Sequence, residues 1–172
     1  WGGAYDWNST KMTAFYSWLQ AMKDRGVDVA LNMGWWFTGS LCTDNYPITC
    51  SPNDTTDVDA YTAWASESLN QLITVRGFTN IKYIIAFTEP AETCGCSAFP
   101  PGYTHISYYN FVVNQLHTRL VNDGRRSLTK IIGPNTTSMN DTRVWLQNAV
   151  TNLNSVIDIY SSHDYNLAGY DG

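Results

Sequence analysis

The chain has 172 residues and is 44% hydrophobic, enough to bury a core within a single domain, and its formal charge of −5 is mild. Its ten Lys and Arg are scattered without a basic stripe, which argues against a nucleic-acid partner. No apolar run approaches the ~18 residues of a membrane helix.

Taken in order, residues 1–7 (WGGAYDW) form a loop rich in glycine and aromatics, and Asn8-Ser9-Thr10 offers helix caps. Met12, Phe15, Tyr16, Leu19 and Met22 recur at helical spacing up to Gly26, a good C-terminal stop. Residues 27–36 (VDVALNMGWW) read as a strand whose end carries Trp35 and Trp36. Paired tryptophans there serve either as the floor of a binding site or as core plugs. A polar loop over 38–56 holds Cys42 and Cys50. A second helix over 57–76 follows, with Tyr61, Trp64, Leu69, Leu72 and Ile73 on its apolar face and Gly77 after it.

Residues 81–90 (IKYIIAFTEP) are the apolar run on which the rest of the chain leans. Five of the six residues from Tyr83 to Thr88 are β-branched or aromatic, which suits a strand buried on both faces of a parallel sheet. The run stops at Glu89 and Pro90. At the C-terminal end of a parallel strand a carboxylate is well placed for catalysis, although Glu-Pro also simply ends strands. Cys94 and Cys96 follow, then Pro100-Pro101-Gly102, a helix over 103–122 ended by Gly124, a short strand over 130–134, a helix over 141–153 and a last strand over 156–165 (VIDIYSSHDY). Strict alternation of helix and strand predicts an α/β fold with adjacent parallel strands in chain order, and Glu89, His163 and Trp35 or Trp36 on one rim.

Sequons at Asn8, Asn53, Asn135 and Asn140 point to a secreted, extracellular glycoprotein with these asparagines exposed and glycosylated. The even set Cys42, Cys50, Cys94 and Cys96, in polar turn-rich stretches, fits disulfides in an oxidising compartment. Cys94 and Cys96 would close a very small, strained ring, so two bridges joining the two loops are expected, with Cys42 to Cys50 as the local alternative. His105, His117 and His163 show no ligand spacing, so neither a metal nor another cofactor is expected. With neither an initiator Met nor a signal peptide at Trp1, the sequence reads as a processed or partial chain.

Residues 87–90 (FTEP) resemble the end of strand four in the large clan of retaining glycoside hydrolases built on (β/α)8 TIM barrels, whose usual motif there is Asn-Glu-Pro. Residues 130–134 (KIIGP) are similar to their fifth strand. Residues 157–165 (IDIYSSHDY) resemble their sixth, which in several families ends His-x-Tyr. The resemblance implies a partial barrel, roughly helix two through strand six, in which residues 1–172 are the central part of one domain. It implies Glu89 as the general acid/base, and His163 and Tyr165 as hydrogen-bonding partners of the nucleophile or the sugar. Trp35 or Trp36 would face a carbohydrate substrate. The chain departs from the pattern at Thr88, where the usual amide reaches the sugar 2-hydroxyl and a threonine hydroxyl is shorter.

The nucleophile such enzymes keep about 5 Å from the acid/base is expected outside this sequence. Glu92, Asp164 and Asp171 are nearby acids by sequence, but Glu92 lies past the strand in the loop and Asp164, between His163 and Tyr165, should point to the opposite side of its strand. A whole barrel needs ~250 residues, so remaining barrel segments or partner chains are expected to cover the open strand edges. Two functions follow: a secreted retaining glycoside hydrolase, or a catalytically inactive barrel serving as an extracellular sugar-binding or structural glycoprotein module. Sugar, linkage and oligomeric state do not follow from these motifs.

Overall fold

In the computed structural model the described residues are 6–33, 56–88, 90, 102–136 and 139–163. The first helix, α1 (Thr10–Asp24), begins where the Ser9 hydroxyl accepts the Met12 amide N–H at 3.3 Å. It stops at Gly26, whose φ of 67° lets the Val27 amide return to the Met22 carbonyl at 3.0 Å. Val27 is thereby spent on the helix end, and β1 covers only Val29–Asn32 rather than starting at residue 27.

The second helical segment is α2 (Thr56–Leu69), which widens into a π-helical stretch over Asn70–Val75. The expected helix over 57–76 carries no sign of this change. Leu72 and Ile73, both expected on the apolar face, are in the core. Next come β2 (Ile81–Ile85) and α3 (His105–Asn122). A capping box between Thr104 and Ser107 opens α3, and Gly124 at φ 68° ends it as Gly26 ends α1. The chain continues through β3 (Lys130–Thr136), α4 (Met139–Asn152) and β4 (Ile159–Ser162).

All four strands are parallel and lie in the order β1-β2-β3-β4, as the alternation of elements predicts. An order that never reverses, joined by right-handed crossovers, sets the connecting helices on one face of the sheet. Burial agrees. Val29, Ile84 and Ile131 are buried in one core with Leu19 of α1, Tyr61 and Leu69 of α2, Val112 and Leu116 of α3, and Trp145 and Ala149 of α4. Their strand neighbours behave differently: Ala30 and Asn32 are exposed, and Tyr83, Ile85, Ile132 and Ile159 are only half-buried. Among the described residues the helices cover one face of the central strand, and Tyr83 and Ile85 on its other face are only half-buried, where burial on both faces is expected from the sequence.

Two further boundaries move for physical reasons. β2 ends at Ile85, where the chain bends at Ala86, so residues 86–88 do not simply continue the strand. Val156 and Ile157 are buried in the turn before β4 rather than in the strand, their amides both bonded to the Leu153 carbonyl. Asp158 then ties the N-terminal ends together: its carboxylate accepts from the Ile131 amide and from Arg126, each at 2.7 Å. No helix among the described residues is long and apolar enough to cross a membrane.

Candidate functional site at the carboxyl ends of the strands

Parallel pairing places the C-terminal ends of β2, β3 and β4 side by side, and the last ladder bond runs from the His163 amide to the Thr136 carbonyl at 2.6 Å. His163 therefore sits at the same rim as Thr88. Glu89, Trp35, Trp36, Tyr165, Cys42, Cys50, Cys94 and Cys96 lie outside the described residues. So the relation of the tryptophans to the rim and the pairing of the cysteines rest on sequence alone.

From the helix side an aromatic chain clamps the end of β2. Phe87 is stacked on Tyr61 of α2 at 4.9 Å between ring centres, and meets Tyr109 of α3 edge-on at 6.2 Å; Tyr109 in turn meets Trp145 of α4 at 5.3 Å. The Tyr61 hydroxyl donates to the Ala86 carbonyl at 2.7 Å, satisfying a backbone group freed where the strand bends. Burial pushes the Tyr61 hydroxyl well above its ordinary pKa, with Tyr109 adding to the effect, and burial raises Tyr109 as well. The raised pKa favours the protonated hydroxyl, the form that donates to Ala86. Gly133 of β3 lies against the same cluster: a Cβ there would come within 2.7 Å of the Tyr109 hydroxyl and 2.9 Å of Ile157.

From the rim itself comes a polar trio, one member from each of three strand ends, with Thr88 and Asn135 buried and Ser161 half-buried. The Asn135 amide nitrogen donates to Thr88 Oγ1 at 3.4 Å, and Ser161 Oγ donates to Asn135 Oδ1 at 3.0 Å. Thr88 and Asn135 are only 5% and 3% exposed, so these groups meet in a low dielectric. Asn135 holds a left-handed backbone, φ 55°, which asparagine tolerates better than other side-chain-bearing residues. Beside it the buried Thr136 hydroxyl takes no partner among the described residues.

The expectation that Asn135 is an exposed glycosylation site is corrected by this burial and by the two hydrogen bonds of its carboxamide. A sequon is a local three-residue signal and carries no information on burial. The overlooked signal was the polar Asn135-Thr136 step just past Gly133-Pro134, which continues β3 into the rim instead of ending it. Asn8 is the contrasting case. It is exposed, and Arg76 holds its Oδ1 at 3.2 Å, a contact that a glycan on Nδ2 leaves intact. Peptide mapping of protein secreted from a eukaryotic host is expected to find Asn8 glycosylated and Asn135 unmodified; a glycan on Asn135 would contradict its burial. Asn53 lies outside the described residues, as does the side chain of Asn140.

The opposite rim, at the N-terminal ends of the strands, opens a cavity of about 580 Å³ lined by Asp28, Lys82, Tyr83, Lys130 and the Arg126–Asp158 ion pair. Its charges are largely paired or solvated, as befits a face that stabilises such sheets rather than one that reacts. A smaller apolar cavity of about 270 Å³, lined by Trp7, Phe15, Met33 and Trp64, lies between α1 and α2 beside the end of β1. Among the described residues no three His, Cys, Asp or Glu side chains converge as a metal ion would need. No family model matches the chain, and no match is found among curated proteins or solved structures.

Proposed function

We propose that the protein is a secreted retaining glycoside hydrolase acting on a poly- or oligosaccharide, with Glu89 as its acid/base. The observation that carries the proposal is the rim. Glu89 directly follows Thr88, whose side chain is fixed among Asn135 and Ser161 at the carboxyl ends of three adjacent parallel strands. Reactive groups of parallel α/β folds gather on that edge. A proton donor to a departing glycosidic oxygen is the role the resemblance implies for Glu89.

The fold reading extends accordingly. Four parallel strands in unbroken order, with helices on one face and a half-covered apolar second face, support strands three to six of a (β/α)8 barrel. Further strands carrying the nucleophile, from the same polypeptide or from a partner chain, then close over Tyr83, Ile85, Ile132 and Ile159. His163 and Tyr165 serve the nucleophile or the sugar, and Trp35 or Trp36 the sugar face. The inactive extracellular sugar-binding or structural module is kept as the second reading because Thr88 stands where an amide is usual in the barrels this chain resembles.

The experiment is reducing-sugar release and aryl-glycoside cleavage by the full-length protein across a panel of sugars and linkages. Cleavage with retention of anomeric configuration supports the hydrolase. Binding without turnover across the panel moves the assignment to the module.

A further inference from the structure

Helices α1 and α2 do not close fully over the end of β1. The cavity of about 270 Å³ between them has mainly apolar side chains on its wall, among them Trp7, Met12, Phe15, Trp64 and Leu72, and no charged residue lines it. Close-packed interiors keep few voids larger than a water molecule, so a gap of this size is either a weakness in the fold or a place for a ligand. Three observations point to a ligand. Three of the lining side chains are flat rings, two of them indoles, which pack well against another flat apolar molecule and cannot bend to fill the gap. Ser68 of α2 also lines the cavity; it is only 5% exposed, and its hydroxyl has no hydrogen-bond partner among the described residues. Leaving a buried hydroxyl unpaired is costly, and one polar ligand atom at that point removes the cost. An otherwise apolar wall suits such a ligand better than water, which needs about two to four polar partners per molecule. Leu72, on the same wall, belongs to the π-helical stretch that follows α2, a rare backbone form that recurs at functional sites.

We infer that this cavity binds a small, uncharged, mainly apolar molecule, a bicyclic aromatic that carries one hydroxyl. An apolar cavity of about 150 Å³ holds benzene, so the larger space here admits two fused rings. The uncharged wall excludes ions, which would lose their hydration without gaining a counter-charge. The hydroxyl of the ligand bonds to Ser68, and its rings lie against Trp7, Phe15 and Trp64. None of these residues is used by the hydrolase reading, so the site stands whether or not the protein cleaves a glycoside.

The test uses 2-naphthol as probe and naphthalene as its counterpart without the hydroxyl, with binding to the full-length protein measured by equilibrium dialysis. The first probe is expected to bind saturably at one site with a Kd of about 10 μM to 1 mM, the affinity that about 11 heavy atoms supply at ordinary ligand efficiency. Ser68→Ala is expected to weaken 2-naphthol about 3- to 10-fold and to leave naphthalene within about twofold, because only the hydrogen bond is lost. Met12→Trp puts a larger side chain into the cavity and is expected to lower the affinity for both probes more than about 10-fold. Met12 is half-buried, so the exchange leaves the buried core in place. Ser68→Ala deletes an unpaired hydroxyl and improves helix propensity, so the comparison of the two probes decides the matter even where Met12→Trp folds poorly. Uptake that does not saturate, equal affinity of 2-naphthol for wild type and Ser68→Ala, or unchanged binding by a folded Met12→Trp variant would overturn the site.

Discussion

Replacing Glu89 by Gln is expected to lower turnover of substrates with poor leaving groups by about 10²- to 10⁴-fold, the usual contribution of a positioned general acid. Alkoxide leaving groups of natural glycans need a proton as the bond breaks, and the amide cannot supply one. Phenolates of low pKa depart unaided, so the first step on activated aryl glycosides should suffer much less, and the second step becomes limiting because no base activates water. Steady-state kinetics across leaving groups of graded pKa measure this directly. The variant should show a steep dependence where the wild type shows a shallow one. A uniform loss across leaving groups would assign Glu89 a role other than proton transfer.

Phe87→Ala is expected to be the most destabilising single change near the site, costing about 3–5 kcal/mol. Phe87 is 2% exposed and is held between rings from two helices, at 4.9 Å from Tyr61 and 6.2 Å from Tyr109. The hole left behind cannot collapse easily, since Tyr61 is anchored by its bond to the Ala86 carbonyl of the same chain segment. For a protein of this size the loss corresponds to a fall of roughly 6–20 °C in Tm. Phe87→Leu keeps most of the volume and should cost less than about 1.5 kcal/mol. Denaturant unfolding of the three proteins provides the comparison. An Ala variant within about 1 kcal/mol of wild type would mean that the aromatic chain does not fix the end of β2. Loss of that anchor should also disturb Thr88, the next residue, so activity of the Ala variant is expected to fall below the fraction that remains folded.

Much of the fold was readable from local chemistry. Ser9 and Thr104 begin helices because their hydroxyls satisfy amides of the first turn, and Gly26 and Gly124 end them because the left-handed residue there needs no Cβ. The apolar runs around Val29, Ile84, Ile131 and Ile159 gave the strands, and their alternation with helices gave a parallel sheet in chain order. Strand limits were less readable, because Val27 and Val156 are apolar in sequence yet serve a helix end and a turn. The π-helical stretch at Asn70–Val75 escaped notice, since one additional residue per turn leaves no periodic mark.

The site was legible on one side only. Strand-end logic, which needs nothing beyond direction and register, puts Glu89, His163 and Trp35 or Trp36 on one rim, and of these His163 lies among the described residues, at the end of β4. Asn135 was misassigned, because its sequon describes three neighbours in the chain whereas its role depends on Thr88, 47 residues away, and Ser161, 26 residues away. Such pairings exist only after the strands have found their neighbours, and no single segment records them.

The central claim, that Glu89 is the acid/base of a retaining enzyme, is tested most directly by product analysis of the Glu89→Gln variant with an activated aryl glycoside in the presence of azide. Azide needs no general base, so it should intercept the glycosyl-enzyme, restore turnover and give a glycosyl azide whose anomeric configuration matches that of the substrate. No rescue, or an azide product of inverted configuration, would contradict the assignment.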